Sequence, residues 1–140
     1  MPAEHRLEAE VLTPEGEVFR GELFQLSTRT AVGEVGIRAR HAPMVARLVP
    51  HELRLHVSEN ESETIRYAQG EGWMEVFANR ARVLIAEAIA PENLDVGDLR
   101  ARLQDAEQRL AEAEEGSAAH EQAERDKRRA EAFIEIAERR

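Results

Sequence analysis

The chain has no cysteine, so it can form neither a disulfide nor a thiolate metal site. It is short of positive charge: 19 basic residues stand against 28 acidic ones, for a net charge of −9. That balance argues against a broad nucleic-acid surface. Lysine is nearly missing too, since 18 of the 19 basic residues are arginine and only Lys127 is not. Arginine suits paired helix faces. No apolar run approaches the length that spans a bilayer. No charged n-region followed by an apolar h-region opens the chain, and Met1 leads straight toward a strand. The expectation is a soluble protein made in the cytoplasm, of bacterial rather than organellar origin. Motifs for chemistry are lacking as well: there is no Gly-x-Ser-x-Gly, no Gly-x4-Gly-Lys and no His-Glu-x-x-His. The histidines His5, His51, His56 and His120 show no ligand spacing, which leaves no metal site to expect. An enzyme is therefore disfavoured.

What is present changes character near Pro91. Residues 1–90 hold five of the six aromatics, six of the eight glycines and four of the five prolines. Residues 91–140 are rich in Ala, Glu and Arg. Such a shift separates two kinds of structure.

The first part reads as short strands. Leu7–Val11, Leu53–Val57 and Met74–Val76 alternate apolar and polar, which buries one face and wets the other. Val83-Leu84-Ile85-Ala86 is a continuous apolar run, consistent with a strand buried on both faces. Turn signals separate the runs: Thr13-Pro14-Glu15-Gly16, Val49-Pro50-His51, Ser58-Glu59-Asn60 and Ala78-Asn79-Arg80. Tyr67, Trp73 and Phe77 are expected in the core. Many short strands at this spacing predict a β-sandwich or barrel.

The second part has a helical period. Leu99, Leu103, Ala106, Leu110 and Ala113 recur at heptad spacing. Asp95 is a good N-cap, Gly116 a stop and Ser117 the next cap. The second helix carries Ala123, Ala130, Phe133, Ile134 and Ala137 on one side, with Asp126 where that stripe wants an apolar residue. Acid-to-base pairs at i,i+4, such as Asp98–Arg102, Asp105–Arg109 and Glu135–Arg139, line the wet faces. The short turn makes an antiparallel hairpin. The fold expected is α+β: an antiparallel β-sandwich over residues 1–90, then a two-helix hairpin over 91–140. The stripe is thin and Ala-rich, so the hairpin needs a partner surface and can be moved between partners.

One block is more specific than the rest. Gly33 and Gly36 bracket a short apolar segment, and a His41-Ala42-Pro43 corner comes after it. Glycine reaches backbone angles closed to other residues, and Pro43 pushes Ala42 toward an extended shape. Together with Val11–Gly16, the strand at Leu48–Leu55, the Gly72–Val76 hairpin, Leu84–Ala88, Leu94-Asp95 and Arg100-Ala101, this block resembles the epsilon subunit of F-type ATP synthase. The likeness covers nearly the whole chain. The chain departs from the family at Arg38-Ala39-Arg40, where Leu-Pro-Gly is common before the histidine. His51 replaces a frequent glycine.

The resemblance implies a non-catalytic central-stalk subunit of a rotary motor that couples hydrogen ion transport to ATP synthesis. Its sandwich would dock on the gamma subunit and the c-ring, with Glu34 and His41 facing those partners. Its hairpin would inhibit ATP hydrolysis when extended, with Arg125, Lys127, Arg128 and Arg129 meeting an acidic segment of a beta subunit. It would be peripheral on the cytoplasmic side of the plasma (inner) membrane, reach the membrane only through the complex and form no homo-oligomer. No cofactor is implied, but some members bind ATP through Ile/Leu-Asp-x-x-Arg-Ala. Here Arg100-Ala101 stands two residues too far beyond Leu94-Asp95. If the helix starts at Asp95, Asp95 and Arg100 cannot address one nucleotide as they do in ATP-binding members, because two extra residues rotate the rest of the helix by about 200°. Composition alone fits a stand-alone sandwich with a coiled-coil adaptor hairpin equally well.

Overall fold

The computed structural model describes residues 5–139. The expectation that Met1 runs directly into the first strand falls on residues outside those described. The chain divides into two units, Met1–Ala90 and Pro91–Arg140.

The first unit begins with two strands, β1 (Leu7–Thr13) and β2 (Gly16–Leu23), joined by a tight turn at Pro14-Glu15. Then come β3 (Gln25–Thr30), β4 (Gly33–Ile37), β5 (Met44–Leu48) and β6 (His51–His56). A 3-10 turn, Glu61–Glu63, leads into β7 (Thr64–Gln69), and β8 (Gly72–Phe77), β9 (Arg80–Ile85) and β10 (Ala88–Ile89) complete the unit. The order across the sheet is β10-β7-β6-β3-β5-β8-β9-β1-β2, with β4 on β3. β3 meets β5 through one pair, Thr30 with Leu48, so the sheet turns there and its halves face each other. Leu26, Ile37, Leu53 and Leu55 from one half and Leu7, Val11, Leu23, Leu48, Met74 and Val83 from the other share one core. This is the expected sandwich. Its pairings are antiparallel except one: β1 lies parallel to β9, because the β1–β2 and β8–β9 hairpins meet side by side.

Three expectations fail in this unit, for one reason. In β8, Met74 and Val76 point inward, which forces Trp73, Glu75 and Phe77 outward; Trp73 and Phe77 are 53% and 65% exposed. They are not core residues, although Tyr67 does pack against the core. β9 likewise alternates, with Val83 and Ile85 buried and Leu84 outward, so it is not buried on both faces. Period-two geometry overrides side-chain character. Strands β2 and β3 escape a pattern reading. β2 is an edge strand with little of it buried, and β3 turns Thr28 and Thr30 into the interior, while Ser27 is covered on the opposite face by Gln25 and His56. Inside, the Thr28 hydroxyl donates to Gln69 Oε1 at 2.6 Å, and Gln69 Nε2 donates to the Val49 carbonyl at 2.8 Å. These bonds remove most of the cost of burying polar groups.

The second unit holds α1 (Val96–Glu112) and α2 (Ala118–Glu138). Asp95 and Ser117 cap them through bonds from the Asp98 and His120 amides at 3.1 Å. α1 ends at Glu112, four residues before Gly116, whose positive φ of 83° shapes the link. Buried residues are Leu99 and Ala106 on α1 and Ala123, Ala130, Phe133 and Ile136 on α2. Ile136 takes the fully buried place expected of Ile134 and Ala137, which are half-buried. Among the described residues, no helix is long and apolar enough to cross a membrane.

Candidate functional site

The β3–β4 hairpin presents the Gly33 block. Gly33 sits at φ +140°, where a side chain is strained, and the Thr30 hydroxyl donates to its carbonyl at 3.0 Å. Gly36 serves differently: a Cβ there would lie 3.0 Å from Gln25 Nε2, so the need is for room rather than for an unusual φ. Val32 at the tip is 98% exposed. Glu34 lies on strand β4 rather than in a loop, and its carboxylate meets His51 Nε2 at 3.1 Å. The histidine that departs from the family pattern is thus the one that touches Glu34.

His41 lies in the β4–β5 loop. Its Nδ1 is 2.7 Å from the carbonyl of Ala42; a carbonyl only accepts, so Nδ1 carries the proton. Arg40 before it has a positive φ of 62°. Asn79 stabilises this bend: its Oδ1 accepts from the Arg40 amide at 2.8 Å, and its Nδ2 donates to the Arg6 carbonyl at 2.9 Å. Ala78 and Asn79 both have positive φ, the geometry of a two-residue hairpin turn between β8 and β9. One asparagine therefore ties that turn to the His41 loop and to the start of β1.

The outer face of β5, β8, β9, β1 and β2 was not foreseen as a site. Its residues line up in cross-strand rows. Trp73, Leu84 and Leu12 are direct neighbours in an apolar row, with Trp73 and Leu84 open to solvent and Leu12 half-buried. The next row runs Val45, Glu75, Arg82, Glu10, Arg20, and Val45 is 69% exposed. Glu10 holds this row together, with one oxygen 2.8 Å from Arg82 Nε and the other on Arg20. The hydrogen bond from Arg82 and the charge of Arg20 hold its carboxyl below the ordinary value of 4.5, against the opposing pull of burial. Phe77 and Arg80 start the row beyond. The alternation of β8 and β9 is the signal that could have found this face.

In the hairpin, the four basic residues do not share a face. Arg125 and Arg129 are one turn apart, but Lys127 is turned away from Arg125 by about 200°. Arg125 Nη2 donates to Gln122 at 2.7 Å, and Arg129 stacks 4.6 Å from the Phe133 ring centroid. Asp95 and Arg100 are likewise apart in role. The Asp95 carboxylate caps α1, while Arg100 Nη2 pairs with Glu138 of α2 at 2.5 Å.

Comparison with known proteins gives a consistent picture. Residues 6–91 match the model of the ATP synthase Delta/Epsilon chain beta-sandwich domain. The ATP synthase epsilon chain of Persephonella marina is 38% identical over 129 residues, covering 91% of this chain and 93% of the relative. That of Halalkalibacterium halodurans is 33% identical over 133 residues, covering 95% and 98%. Among solved structures, a chain of the Euglena gracilis mitochondrial ATP synthase (OSCP/F1/c-ring) superposes with a TM-score of 0.79 at 21% identity, covering 95% of this chain and 81% of the other. A chain from the Tetrahymena thermophila mitochondrial central stalk and c-ring gives 0.61 at 17% identity, covering 97% and 99%. At those identities the structural likeness speaks to the fold.

Proposed function

The chain belongs to the ATP synthase epsilon-chain family, a family of non-catalytic subunits, and on that premise we propose that it joins the gamma subunit to the c-ring in the central stalk of a proton-driven ATP synthase. The observation that carries this reading is the outer sheet face. A sandwich whose core is already filled has no use of its own for Trp73, Phe77, Val45 and Leu84 in solvent, and such a patch suits a protein partner. Gamma takes this face. The c-ring takes the β3–β4 tip and the His41 loop, with Glu34 and His41 as polar contacts. The complex carries the subunit to the cytoplasmic side of the plasma membrane.

The hairpin restrains ATP hydrolysis. Extended, it reaches the beta subunits, where Arg125, Lys127, Arg128 and Arg129 meet acidic groups; the spread of those four residues around α2 suits a helix enclosed by its partner. Removal of residues 95–140 should leave assembly intact and raise the ATPase rate of the isolated catalytic sector. Trp73→Glu with Phe77→Glu should abolish co-purification with gamma. An unchanged ATPase rate would remove the inhibitory part, and undiminished co-purification would remove the docking face.

We further propose that the chain does not use ATP as a regulatory ligand. The helix starts directly after Asp95, and Asp95 and Arg100 are engaged elsewhere. Isothermal titration at millimolar nucleotide should give no isotherm, and a saturable one would overturn this part.

A further inference from the structure

The apolar seam of the hairpin is interrupted once. Asp126 stands in line with Ala123, Ala130 and Phe133, each fully buried. A carboxylate in such a stripe needs a partner, and α1 supplies one. Arg109 Nη2 donates to Asp126 Oδ2 at 2.8 Å, and Arg109 Nε donates to Asp105 Oδ2 at 2.9 Å. Gln122 Nε2 donates to the other oxygen, Asp126 Oδ1, at 2.9 Å. Both oxygens of Asp126 are therefore satisfied. The bonds to Asp105 and then Asp126 raise the pKa of Arg109. Around the pair lies a cavity of about 320 Å³ lined by Arg102, Asp105, Arg109, Asp126 and Arg129. The two side chains remain 40% and 37% exposed.

We propose that Arg109 and Asp126 form a release latch that sets the register of α1 against α2 and keeps the hairpin easy to open. A charged pair in an apolar seam specifies alignment, because sliding one helix past the other strands a carboxylate among alanines. Water already reaches both ends of the pair, so opening the helices hydrates two charges at little cost. An apolar pair at the same place would hold the helices more tightly. The Ala-rich seam contributes little area of its own, so this one layer has a large share in the balance between closed and open.

The regulatory meaning of the latch rests on the hairpin reading above, but the latch itself can be measured in the isolated full-length chain. Hydrogen exchange of the α1 and α2 amides gives the rate, and sandwich amides serve as internal reference. Asp126→Ala should speed hairpin exchange about fivefold, as loss of a half-exposed pair implies. Arg109→Leu with Asp126→Leu should slow it below the parent by about as much. Unchanged exchange in the single variant, or exchange in the double variant as fast as in the parent, would overturn the latch. In the catalytic sector the double variant should raise ATP hydrolysis by keeping the hairpin closed. Slower exchange with unchanged hydrolysis would leave the latch standing and overturn its regulatory meaning.

Discussion

The two units fill their interiors in opposite ways. Among the described residues, the sandwich buries fifteen apolar side chains, of which three, Ala9, Ala68 and Ala81, are alanine. The hairpin buries six, and three of them are Ala106, Ala123 and Ala130. Dispersion and transfer free energy scale with the area removed from water, so the sandwich is the stable body and the hairpin the marginal one. The proposed roles, docking by the sandwich and movement of the hairpin, need that inequality. It also explains where the polar groups go. The sandwich buries Thr28 and Gln69 in a closed network, whereas the hairpin keeps its Arg109–Asp126 pair within reach of water.

The largest expected effect tests the rigidity of the sandwich. A Cβ on Gly72 would lie 1.9 Å from the Leu84 carbonyl oxygen and 2.8 Å from Ile85 Cα, both backbone atoms. Neither can yield without separating β8 from β9. Gly72→Ala should cost about 3 kcal/mol or more of global stability in urea unfolding. A loss under about 1 kcal/mol would mean that the β8–β9 pairing is looser than its register implies.

That glycine also shows what the sequence could reveal. In the sequence Gly72 figures only as the start of the Gly72–Val76 hairpin, and its real constraint, a carbonyl from β9, exists only once the hairpin closes. The helical unit was nearly all legible, because capping by Asp95 and Ser117 and the heptad stripe are local. Asp126 stood out as a misfit in its stripe, yet its answer, Arg109, lies seventeen residues away. Glu34 was singled out by family likeness alone; its contact with His51 joins β4 to β6 and has no local signal. The outer face of the sandwich was missed because hydrophobic character was read as burial. The inward places of Met74, Val76, Val83 and Ile85 already assign Trp73, Phe77 and Leu84 to the other side.

A smaller effect, of opposite sign, belongs to the hairpin. A Cβ at Gly97 would meet only Asp95 Oδ1, at 3.4 Å, an ordinary contact. Gly97→Ala should therefore stabilise α1 by about 0.5 kcal/mol through helix propensity and the unfolded chain. The gain should appear in exchange of α1 amides and leave the sandwich unchanged. If instead the midpoint of global unfolding rose with it, the two units would be melting as one, and the contrast between them would fail.

The smallest effect separates the units by pH. His56 sits among Ser27 Oγ at 3.1 Å, Thr64 Oγ1 at 3.3 Å and Glu61 at 3.8 Å. Burial lowers its pKa from 6.5, opposed by Glu61 and aided by Arg54, Arg66 and Arg38. The folded sandwich thus prefers the neutral ring, and the unfolded chain binds the proton more readily. By linkage, the contribution of His56 is complete above pH 6.5 and fades as pH falls through that value toward the lower folded one. Urea midpoints of the sandwich should decline between about pH 7 and pH 5. His56→Gln, which keeps hydrogen-bonding capacity without a titrating ring, should flatten that decline. Arg109 in the hairpin stays charged across this range and adds nothing to the decline. A decline of equal slope in the His56→Gln chain would assign the acid sensitivity of the sandwich to other groups. A parallel decline in α1 and α2 exchange would erase the contrast in how the two units answer to protons.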